Sequence, residues 1–100
     1  MVFRVTGFAR CDSPERYIKQ LVSHWGHKMP TSYDADAKAG TFPFSDHESA
    51  IVSATDDGMA ITLDTGDPSA SERLRTVLER HLDRFAFRES PLDYEWRPAE

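Results

Sequence analysis

Residues 2–25 read Val2-Phe3-Arg4-Val5-Thr6-Gly7-Phe8-Ala9-Arg10, then Cys11-Asp12-Ser13-Pro14-Glu15-Arg16-Tyr17-Ile18-Lys19-Gln20-Leu21-Val22-Ser23-His24-Trp25. The first half alternates, with Phe3, Val5, Gly7 and Ala9 on one side and Arg4, Thr6, Phe8 and Arg10 on the other. That period of two predicts a strand with one buried face. The period then changes. Tyr17, Ile18, Leu21, Val22 and Trp25 fall on one stripe at helical spacing. Ser13 or Asp12 is placed to cap this helix, and Pro14 suits its first turn, where an amide N–H would be unpaired anyway. Gly26 and Pro30 bracket its end.

Further along, short extended runs are expected over residues 29–34, 40–44, 50–55 and 59–64. Asp57-Gly58 predicts a two-residue hairpin between the last two, because both residues tolerate positive φ. Pro43 cannot donate to a ladder, which points to a sheet edge or a bulge. Asp67-Pro68 repeats the start signal of the first helix. A second amphipathic helix follows to about residue 87, with Ala70, Leu74, Val77, Leu78, Leu82 and Phe85 on its apolar stripe. Leu92, Tyr94 and Trp96 alternate in a short extended tail. The order is therefore β-α-β-β-β-β-α plus a tail. Two helices with apolar stripes need a surface to cover, so an α+β two-layer sandwich is expected, a mostly antiparallel sheet with both helices on one face.

The chain is 100 residues long, 39% hydrophobic and 29% charged, with a net charge of −5 and one cysteine. One domain spanning 1–100 is expected. A single cysteine, Cys11, excludes an internal disulfide and a cysteine-based zinc site. Its place just before a helix could lower its thiol pKa, but an unreactive small residue at a strand end is the plainer reading. The cations are scattered singly in an acidic chain, which disfavours a nucleic-acid partner. No apolar run approaches the ~20 residues of a membrane span, and the N-terminus lacks a secretion signal, so a cytoplasmic protein is expected.

Three histidines are the main chemical candidates. His24 and His27 are three apart on the first helix, and His81 falls within the apolar face of the second. With Glu89 they form a candidate iron or zinc site of His24, His27, His81 and Glu89, since imidazole suits both metals. The alternative is that these histidines are ordinary structural residues. An enzyme using His81 as general base would need a cleft beside it. Asp34-Ala-Asp36-Ala-Lys38-Ala-Gly40 begins like a calcium loop, but Lys38 and the late Gly40 break the pattern, so a solvated hairpin loop is expected. Asp46-His47-Glu48 reads as a polar turn. Arg84 and Arg88 are four apart near the second helix's end, where cations are favoured.

The stretches Arg16-Tyr17-Ile18-Lys19-Gln20-Leu21, His24-Trp25-Gly26-His27-Lys28 and His81-Leu82, continuing to Arg84-Phe85-Ala86-Phe87-Arg88-Glu89 and then Trp96, resemble the bacterial family called domain of unknown function 2218. The positions carrying the resemblance are His24, Trp25, His27 and Lys28 on the first helix, and His81, Arg84, Phe85, Arg88 and Glu89 on the second. The resemblance implies a sandwich like the TATA-binding-protein arrangement. It also implies an accessory binding role in iron or siderophore utilisation, with a siderophore-interacting reductase as partner. The rival expectation is an interaction module that forms a homodimer through the outer face of the first strand and takes no ligand.

Overall fold

The structure, a computed structural model, describes residues 2–98. The elements are β1 (Phe3–Arg10), α1 (Pro14–Trp25), β2 (Ser32–Asp34), β3 (Ala39–Ser45), β4 (Glu48–Ala54), β5 (Gly58–Thr65), α2 (Pro68–Phe85) and β6 (Tyr94–Pro98). The strands form one antiparallel sheet in the order β2-β3-β4-β5-β1-β6. The expected α+β sandwich is present, with one addition. The C-terminal tail is a sixth strand, paired with β1 in the register Val5↔Pro98 to Ala9↔Tyr94.

Both helices cover the same face. Ile18, Leu21 and Trp25 of α1 and Leu74, Leu78 and Leu82 of α2 meet Phe42, Val52, Met59, Ile61 and Leu63 of the sheet, all buried. Each such side chain contributes about 1.5–3 kcal/mol by leaving water. The alternation read in β1 holds: Val5 and Ala9 are buried, Arg4, Thr6 and Arg10 exposed. The outer face of the sheet carries no helix.

Asp67 caps α2 as its sequence implies, its carboxylate accepting from the Ala70 N–H at 2.8 Å. Ser13 occupies the corresponding place before α1 but makes no side-chain cap bond. The β4–β5 turn also differs from expectation. The Thr55 N–H donates to the Gly58 carbonyl, and Thr55 Oγ1 accepts from the N–H groups of Asp57 and Gly58. The tip is therefore Asp56-Asp57, and neither Asp57 nor Gly58 adopts positive φ. Gly58 is needed for close approach: a Cβ there would lie 2.1 Å from the Ala9 carbonyl oxygen. Pro43 falls beside a register shift in β3, on the part of that strand beyond β2, so it removes no ladder bond.

Candidate functional site

Tyr17 near the start of α1 meets Glu89, while His24 two turns later meets His81. The two helices thus run antiparallel and face each other along a seam. The His24 and His81 rings are 5.5 Å apart between centroids, and His24 also meets the edge of Phe85 at 5.8 Å. Beneath them Trp25 packs on His81 at 4.8 Å and on Phe42 and Phe44 at 5.5 and 5.2 Å. This aromatic stack seats the half-buried His81 on the core, with the exposed His24 against it.

His81 Nδ1 lies 2.8 Å from the Val77 carbonyl oxygen. A carbonyl only accepts, so Nδ1 carries a proton and Nε2 is the basic nitrogen of the neutral ring. His24 is held below the ordinary histidine pKa, first by withdrawal from water and then by the positive charge available to His81, Arg84, Lys28 and His27. The seam therefore collects cationic groups that disfavour one another.

The carboxylates nearby are committed elsewhere. Glu89 accepts from the Tyr17 hydroxyl at 2.5 Å and, through both oxygens, from the Asp12 N–H at 3.1 and 3.2 Å. The bond to Glu89, and then burial, raise the Tyr17 phenol to about 12. Asp83 accepts from the Leu92 N–H and the Tyr94 hydroxyl, and Glu79 from the Trp96 indole N–H at 2.6 Å. Glu79 and Asp83 thus clamp the tail. Cys11 is buried and its thiol is raised to about 11, by burial first and then by Glu89, which agrees with the plainer reading of an unreactive small residue.

Of the four expected metal ligands, the rings of His24 and His81 meet directly. His27 lies in the turn after α1 ends at Trp25, exposed to solvent. Glu89 is held on the far side of Tyr17. Among the described residues no group of three or more His, Cys, Asp or Glu could hold a metal ion. Two imidazoles alone do not fit a resident iron or zinc, which needs at least a third protein donor.

Beside the histidines the seam opens into a cleft of about 90 Å³ lined by Arg16, Tyr17, Gln20, Phe85, Phe87 and Arg88. Phe87 is 71% exposed, and the Arg88 guanidinium lies 5.7 Å from its ring centre. Ion pairs among the described residues join Arg4 to Asp64, Arg10 to Asp57, Lys19 to Glu15 and Arg73 to Glu48. None involves Arg16, Arg84 or Arg88. In a chain of net charge −5 this is a local excess of free cations. The place of Arg16 and Gln20 in the site was not read from the sequence. Their spacing from His24, eight and four residues, is the signal that could have found them.

The remaining sequence candidates form no site. Asp34 turns its carboxylate onto the N–H groups of Asp36 and Ala37, closing a solvated hairpin loop. His47 and Glu48 bond Ser45 in the β3–β4 turn.

Comparison with known proteins gives a family and one close structure. The profile of the family described as "Uncharacterized protein conserved in bacteria (DUF2218)" matches residues 6–97, and the chain belongs to that family. It is similar to the NMR structure of PA4090 from Pseudomonas aeruginosa, at 30% sequence identity over 98% of both chains, with a TM-score of 0.79. No curated protein matches the chain.

Proposed function

We propose that this member of the family is an accessory binding domain, and that its ligand is a small anion held in the seam between α1 and α2. The reading rests on one observation. Arg16 and Arg88 line one cleft without ion-pair partners, and Arg84, equally unpaired, acts on His24 at the cleft's Phe85 wall, while Glu79, Asp83 and Glu89 are bonded elsewhere. Guanidinium groups recognise carboxylates, catecholates and phosphates through paired N–H donors. The iron and siderophore role implied by the family resemblance makes an anionic ferric siderophore the specific ligand. Iron then arrives inside the ligand, and the histidines face it rather than hold a resident ion. A siderophore-interacting reductase would be the partner that receives the cargo.

Calorimetric titration with the ferric complex of 2,3-dihydroxybenzoate tests this. Saturable binding that weakens at least tenfold in Arg16→Gln/Arg88→Gln, and weakens with added salt, is expected. No saturable heat, or equal binding by the double variant, overturns it.

A second reading, a homodimer through the bare sheet face, is favoured by Ile51. This side chain is 46% exposed on that face, in one cross-strand row with Thr41, Thr62 and Thr6. Sedimentation equilibrium tests it: a concentration-dependent dimer abolished by Ile51→Arg supports it, and a monomer at high micromolar concentration removes it.

A further inference from the structure

On the opposite flank of α2 a second recess, of about 210 Å³, lies between the helix and the β1–β6 end of the sheet. Its walls are largely apolar: Phe3 and Val5 of β1, Pro68 at the start of α2, and Trp96 and Pro98 of β6. Arg75 enters from α2, and its guanidinium lies 5.9 Å from the Trp96 ring centre. The Arg75 Nε is buried and has no hydrogen-bond partner among the described residues. Nor is Arg75 in any ion pair there. Glu79, one turn on, could have paired with it but accepts from the Trp96 indole instead. The guanidinium is thus held by packing on the indole, not by a counter-ion. Leaving a half-buried cation unpaired is unfavourable. Glu72 also lines the recess, one turn from the start of α2.

We infer that this recess binds a small carboxylate with a flat apolar body. The carboxylate would face the terminal nitrogens of Arg75, and the body would displace water from the Phe3, Val5 and Pro98 walls. A neutral molecule of the same shape leaves the guanidinium without its partner, and a fully hydrated anion gains nothing from the walls. The site is separate from the α1–α2 seam and does not rest on the reading given for it.

Amide chemical-shift titration of the intact chain with benzoate tests the inference. Saturable shifts at Val5, Glu72 and the Trp96 indole N–H are expected, with a dissociation constant on the order of 1 mM, as suits so small a ligand. Benzyl alcohol and inorganic phosphate should each bind at least tenfold more weakly. Arg75→Gln should weaken benzoate at least tenfold, Arg75→Lys less, and Arg80→Gln on the exposed side of α2 not at all. Absence of saturable shifts overturns the inference. So do shifts centred on Arg16, Gln20 and Phe87, or full binding by a folded Arg75→Gln.

Discussion

The Trp96 indole lies directly on the backbone of Gly7, its cross-strand partner. A Cβ at Gly7 would come within 2.7 Å of the ring. A side chain of any size at that position evicts the indole, and with it the bond to Glu79.

Gly7→Ala should therefore destabilise the fold by about 1–3 kcal/mol, the usual range for overpacking. Urea unfolding measures this. In a Trp96→Leu background the same substitution should cost less, because the atoms it would strike are gone. An equal cost in both backgrounds would show that the two residues are not coupled.

Removing the clamp on β6 should loosen that strand before the rest of the sheet. Asp83→Ala deletes the acceptor of the Leu92 N–H and the Tyr94 hydroxyl. A cost of about 1–3 kcal/mol is expected, with amide exchange in Tyr94–Pro98 accelerating more than in β4 and β5. Asp83→Asn, which keeps an acceptor oxygen, should lose less.

Alkali should unfold the protein in a defined window. Tyr17 is raised to about 12, chiefly by its bond to Glu89, and Tyr94 and Tyr33 are raised as well, chiefly by burial. An unfolded chain releases these protons near pH 10, while the folded chain keeps them. Above pH 10 the unfolded state binds fewer protons, so the stability present below pH 10 falls as pH rises toward 12. Tyr17→Phe should flatten this dependence. An absorbance titration in which a tyrosine of the folded chain ionises at pH 10 contradicts the expectation.

On the acid side, His24 titrates below the ordinary histidine value. The unfolded state takes up this proton first, so stability is full above about pH 6.5 and declines as pH falls toward the folded value. Proton NMR should place the His24 midpoint under 6.5. In His81→Gln, which removes the nearest positive charge, that midpoint should rise. An unchanged midpoint would separate the two rings electrostatically.

Much of this arrangement was legible in one dimension. The alternation of β1, the helical stripes and the Asp67 cap follow from local periodicity and capping chemistry, and they place both helices on one sheet face. What was not legible depends on residues far apart in sequence. The tail is a strand only because β1 offers an edge some ninety residues away. The glycine signal at Asp57-Gly58 was read as turn chemistry, whereas the requirement comes from the Ala9 carbonyl. Of the candidate site, the meeting of His24 with His81 follows from two stripes that pack together. The loss of Glu89 from the site reflects a carboxylate already bonded by Tyr17 and Asp12.

The sheet order also governs how the chain is made. Phe3 pairs with Thr65 and Val5 with Pro98, so both neighbours of the first strand are synthesised long after it. As the chain leaves the ribosome, β3, β4 and β5 can close their hairpins in turn, while the N-terminal strand waits with its apolar side uncovered. That interval is when a nascent chain of this design is most exposed to aggregation, and it closes as β5 pairs with β1 and α2 settles over their apolar side.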